Sequence, residues 1–146
     1  MTAAETPEYR KLELDSSNDI IRHDARRGDR KYPEAALHAR NAGLARLHMG
    51  QMMFDAGDFV RAAEDWLSAS ACFCLAADLE QMSAALDRVQ QLNQEGKIPP
   101  ERRDIYVAIK ERKEEIESLE GKQSRFQQGR HNHVDSEHVA SQESLN

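Results

Sequence analysis

The sequence predicts an all-α protein: two antiparallel helical hairpins, four helices in all, with a flexible arm before them and a disordered tail after them. Three observations predict it. Aromatic residues make up only 5% of the chain, while Leu, Ala, Glu, Gln, Met and Arg are abundant, a balance that favours helix over sheet. Small and apolar residues recur at three- and four-residue spacing through the middle of the chain. Gly57-Asp58 interrupts that periodicity with the chemistry of a helix end followed by a helix start. At 146 residues the chain has the size of one domain. With 39% hydrophobic and 32% charged residues it holds enough apolar material for a modest core, but not for burying its whole length.

The elements follow in order. Residues 1–31 are polar and balanced in charge, with seven basic and seven acidic side chains. Asp15-Ser16-Ser17-Asn18-Asp19 offers capping chemistry, and Ile20-Ile21 can anchor a short helix to about Arg27. Gly28 and its charged neighbours then break it, so 1–31 is expected to be a mostly flexible arm that docks through Ile20 and Ile21. Helix one begins near Pro33, where a missing amide costs nothing, and ends at Ala56. Its apolar side is Leu37, Leu44, Leu47, Met53 and Phe54, with Gly43 and Gly50 between them. Gly57 supplies the turn and Asp58 the next N-cap.

Helix two runs from Asp58 to about Leu75, with Ala62, Ala63, Trp66, Ala69 and Ser70 on one face. Helix three starts at Asp78 and continues the stripe with Met82, Ala85, Leu86, Val89 and Leu92. Gly96 stops it and Pro100 opens helix four, which carries Ile105, Ile109, Ile116 and Leu119 against a wet face of mixed charge. The hairpins are thus 33–75 and 78–119 within a domain at 32–120. Residues 121–146, rich in Gln, Ser, His and Asn, form the expected disordered tail.

The order of small and aromatic residues around the turn resembles the tetratricopeptide repeat. The family's places are filled by Gly50, Met53, Gly57-Asp58-Phe59, Ala62, Trp66 and Ala69. Two places depart from it: the early Trp falls on Arg46 and the closing Pro on Cys74. The likeness covers one repeat, and the second hairpin is at best a degenerate copy.

The resemblance implies a ligand lying along the concave face of the first helix of each pair. By register that face carries Leu47, Gln51, Phe54 and Asp55. Family members that clamp a terminal carboxylate place Lys and Asn where this chain has Leu47 and Gln51, so that clamp is not supported. An apolar anchor with some positive charge fits better, with Phe54 and Leu47 offering surface and Asp55 charge. The competing reading puts Leu47 and Phe54 in the core. Such arrays need about three repeats for stability. Two must close into a four-helix bundle or bury the open end, for which self-association through an end helix is the natural route.

Other chemistries find little support. The net charge of −6 comes entirely from 32–120, with ten basic against sixteen acidic residues. Between Gly50 and Asp87 only Arg61 is basic, against seven acids, which disfavours a nucleic-acid partner. Cys72 and Cys74 point about 200° apart on a helix, so they read as reduced core residues of a cytoplasmic protein rather than a disulfide or metal pair. His131, His133 and His138 lie near Asp135 and Glu137, but no scaffold fixes them as a metal site. There is no nucleophile–base motif, phosphate loop, signal peptide or membrane span. The expectation is a cytoplasmic module, neither an enzyme nor a cofactor carrier, that binds a protein or peptide. The alternative is an assembly subunit forming a helical homo-oligomer.

Overall fold

The computed structural model describes the backbone of residues 2–141 and the side chains of residues 2–125. Among the described residues there is no strand. A 3₁₀ turn, Ala3–Glu5, is followed by α1 Pro7–Gly28, α2 Tyr32–Asp55, α3 Phe59–Leu75, α4 Leu79–Gln94 and α5 Arg103–Ser141. The chain divides into two units, Met1–Ile116 and Glu117–Asn146. The first holds α1 to α4 and the start of α5; the second holds the remainder of α5.

The all-α class is as expected, but among the described residues there are five α-helices rather than four. A helix of 22 residues stands where the sequence suggests a flexible arm. Thr6 caps it by accepting the Tyr9 amide at 3.3 Å, and Pro7 occupies the first turn. Its buried residues come seven apart: Tyr9, Ser16 and His23. All three are polar or carry a polar tip, so the helix seats itself without an aliphatic stripe. Of the expected anchors, Ile20 is half-buried and Ile21 is exposed.

All four joints between the helices close in one way. The backbone amides of Lys31, Asp58, Asp78 and Lys97 donate to the carbonyls of Arg26, Met53, Phe73 and Leu92, each at 2.8–2.9 Å. A second bond, one residue back on the donor side, joins Arg30 to Arg27, Gly57 to Phe54, Ala77 to Cys74 and Gly96 to Asn93. This is the Schellman closure, which needs a left-handed residue just past the helix. Gly57 (φ 81°) and Gly96 (φ 71°) supply it without strain, whereas Arg30 (φ 61°) and Ala77 (φ 52°) adopt it with a side chain. Gly28, read as a breaker, is the last residue of α1. Asp58 and Asp78 then cap α3 and α4, accepting the amides of Arg61 and Gln81.

Helix α2 packs against both α1 and α3. Its buried face is small: Ala35, Ala39, Ala42, Gly43 and Gly50, with Met49 and Met53. The larger residues assigned to its apolar side lie elsewhere, with Leu37, Leu44 and Phe54 exposed and Leu47 half-buried. The reason is spacing. Two glycines are seated against aromatic rings, Gly43 against Phe73 and Gly50 against Trp66. A Cβ at Gly43 would stand 2.6 Å from the Phe73 ring, and one at Gly50 closer still to the indole. Rings this near leave no room for a side chain at either position.

Helices α3 and α4 bury the residues their periodicity picks out, including Trp66, Ala69, Met82, Leu86, Val89 and Leu92. Ile98, Ile105 and Ile109 complete the same cluster. Pro100 does not open the last helix, which starts at Arg103. Arg102, just before it, donates to Asp104 at 3.0 and 2.8 Å and to Glu64 at 3.1 Å, fixing where the helix begins. The expected disordered tail at 121–146 falls mostly beyond the described side chains. Among the described residues no helix is long and apolar enough to cross a membrane.

Candidate functional site

Residues of α2 and α4, with Trp66 of α3 between them, line a groove of about 410 Å³. Its floor is Phe54, Trp66 and Leu92; its walls are Gln51 from α2 and Asp87, Arg88, Gln91 and Glu95 from α4. The floor follows from the close packing beneath it. Gly50 lets the indole sit tight against α2, and the indole Nε1 donates to the Leu47 carbonyl at 3.2 Å. Phe54, outside that contact, lies 5.8 Å from Trp66 and 5.5 Å from Phe59, centroid to centroid. The result is a run of three aromatic rings (Phe59, Phe54, Trp66) along one side of the joint.

Two of the four residues assigned to the binding face line this groove, Gln51 and Phe54. Asp55 stands beside it, accepting from Gln51 Nε2 at 2.8 Å. Leu47 does not line it; the half-buried side chain packs on the core, and its carbonyl serves Trp66. The sequence reading missed the α4 wall. Asp87, Arg88, Gln91 and Glu95 recur at one-, three- and four-residue steps, a polar stripe beside the apolar one. That periodicity is visible in the sequence, but only a structure shows which helix it faces.

The acids of the central region serve three purposes. Asp58 and Asp78 cap helices, and Asp78 also accepts from Arg40 Nε at 2.8 Å. Asp65 is buried. Asp55, Asp87 and Glu95 remain around the groove, where Glu95 accepts from Gln91 at 2.8 Å. Cations meet ring faces here: the Arg88 guanidinium lies 5.5 Å from the centre of Trp66, and Lys97 Nζ 4.5 Å from that of Phe59.

A buried polar cluster fastens α1 above α3. Tyr9 donates its hydroxyl to Asp65 Oδ2 at 2.7 Å and accepts from Arg61 Nε at 3.2 Å. Arg46, where the repeat family has its early Trp, donates to the buried Ser16 hydroxyl at 2.8 Å. Burial, then the bond to Asp65, pushes the Tyr9 phenol up to about 12. Burial also raises the Asp65 carboxyl, against the pull of the Tyr9 hydrogen bond and the nearby arginines. Tyr9, Ser16 and Asp65 are buried and hydrogen-bonded across helices, which suits fastening.

A second cavity of about 410 Å³ lies by the start of α2, walled by His23, Arg27, Tyr32 and several alanines. Leu75 and Cys74 of α3 complete its lining. Cys72 is buried, which raises its thiol, and the half-buried Cys74 donates to Glu115 at 2.9 Å. Among the described residues no three His, Cys, Asp or Glu side chains come together to hold a metal. The tail histidines lie outside the described side chains. No family model, curated protein or solved structure matches the chain.

Proposed function

We propose that this chain is a tetratricopeptide-like interaction module, without catalysis or cofactor, that takes a protein or peptide segment into the groove between α2 and α4. The observation that carries the reading is the groove itself: three large apolar side chains on its floor, two of them aromatic, under a rim of Asp55, Asp87 and Glu95. An apolar anchor flanked by positive charge complements that surface, and a phosphate backbone does not. The glycine beneath Trp66 and the Gly57-Asp58 turn support the repeat-like assignment. Two cysteines that form no disulfide fit a reducing compartment such as the cytoplasm.

A peptide array probed with the purified protein tests the reading. Peptides selected by the wild type should bind the Phe54→Asp variant at least roughly ten-fold more weakly, a loss of about 1.4 kcal/mol. Phe54 is partly exposed, so the variant should keep its far-ultraviolet dichroism and a cooperative unfolding transition. Equal binding by a folded Phe54→Asp protein removes the groove from consideration.

Self-association is the second reading, favoured by one observation. Leu14 and Ile21 lie seven residues apart on α1 and are 61% and 66% exposed, an apolar stripe on the side away from its buried face.

A further inference from the structure

We propose that Arg88 occupies the groove as a stand-in for a partner's arginine, and that the partner segment carries an arginine beside a large apolar side chain. The inference rests on the groove reading above and names the chemistry that the groove selects.

Arg88 projects from the exposed side of α4, yet its guanidinium lies over the Trp66 ring. Trp66 lines the groove while only 3% exposed, so Arg88 covers what would otherwise be the floor's largest apolar face. What holds Arg88 is slight. Its Nη1 donates to Gln51 Oε1 at 3.3 Å, beyond the usual range for such bonds, and among the described residues it has no salt bridge. Gln51 is fixed from the other side by Asp55, and Asp87 precedes Arg88 in the chain.

An aromatic face and an amide oxygen are groups that recognise a guanidinium, and the carboxylates of Asp55, Asp87 and Glu95 around the groove give it a favourable potential. The planar, weakly hydrated guanidinium stacks on an indole better than an ammonium does, so arginine is favoured over lysine. The neighbouring ring is used in the same way, with Lys97 over Phe59. A partner's arginine can therefore take the Trp66 face as Arg88 swings out to solvent, while an adjacent apolar side chain settles between Phe54 and Leu92. The intramolecular contact acts as a competitor that sets the threshold for binding.

The test uses Arg88→Ala in the full chain and two acetylated, amidated peptides: Leu-Leu-Arg-Phe-Leu and its twin with citrulline, the neutral isostere, in place of arginine. Binding is followed by calorimetry and by the emission of Trp66, the only tryptophan. The arginine peptide should bind Arg88→Ala about ten-fold or more tightly than it binds the wild type, on the scale of one displaced cation–ring contact. The citrulline twin should gain nothing. Three results overturn the inference: equal affinity of the two peptides for Arg88→Ala, weaker binding of the arginine peptide by Arg88→Ala than by the wild type, or no binding of either peptide to the variant. A large drop in the variant's melting temperature also overturns it, since Arg88 would then be a structural clip between α4 and α2. These failures leave the groove reading standing. That reading falls only if the peptide array yields no binder that depends on Phe54.

Discussion

At the scale of single residues, the joints and the buried polar pair make the sharpest predictions. Ala77 holds the left-handed conformation that Gly57 and Gly96 hold at equivalent joints. A Cβ in that region costs about 1–2 kcal/mol, part of which the extra freedom of glycine in the unfolded chain cancels. Ala77→Gly should therefore raise the unfolding free energy by about 0.5–1 kcal/mol, measured by urea denaturation.

Tyr9 predicts a dependence on alkaline pH. Its phenol is pushed up to about 12 from its ordinary 10. The folded chain thus keeps a proton that the unfolded chain gives up, and stability falls as pH rises through that interval. The contribution, complete below about pH 10, is about 2–3 kcal/mol and is lost near pH 12. Urea unfolding of wild type and Tyr9→Phe at both ends of the interval isolates it, and the variant should lack this part of the slope. At neutral pH the variant should be less stable by about 1–3 kcal/mol, because Asp65 loses its buried donor.

At the scale of elements, α3 and α4 were legible because their buried residues are apolar and evenly spaced, with an aspartate capping each. The joints that contain glycine were legible for the same local reason. Helix α1 was not, since Tyr9 and Ser16 reach their partners through hydrogen bonds that periodicity cannot reveal, and the buried His23 bonds to its neighbour Asp24. Its one sequence signal was Thr6-Pro7, a cap and a first-turn proline. Helix α2 misled in the opposite direction. Its leucines suggested the buried face, yet glycines and alanines form most of it with Met49 and Met53, because close approach of the aromatic rings leaves no room for a side chain at Gly43 and Gly50. Gly50→Ala tests that account. The helix propensity of alanine favours the change by about 1 kcal/mol, but its methyl must overlap the Trp66 ring. Overpacking of this kind costs about 1–3 kcal/mol or more. A net loss of stability in urea is expected, with a shift in Trp66 emission.

At the scale of the molecule, half of the candidate site was legible. Gln51 and Phe54 followed from the register of α2, while the facing wall lies 37 residues further on at Arg88, joined to Gln51 only by the fold. Surface apolar residues at the same scale bear on assembly. If α1 closes an array against a second copy, the mass from light scattering should rise with concentration, and Leu14→Glu with Ile21→Glu should hold the chain monomeric. A monomer at every concentration ends the assembly reading.

The two glycine seats on α2 also constrain motion. Gly43 faces Phe73 and Gly50 faces Trp66, so each glycine and each ring stands seven positions from its counterpart on the same helix. Sliding α3 along α2 by one turn would drive both rings into side chains at once. The pair is keyed like a ward in a lock: it can tilt, but it cannot ratchet. Adjustment to a bound segment must then come from side chains such as Arg88 or from α4 swinging about its joint, with the α2–α3 hairpin as the fixed jaw.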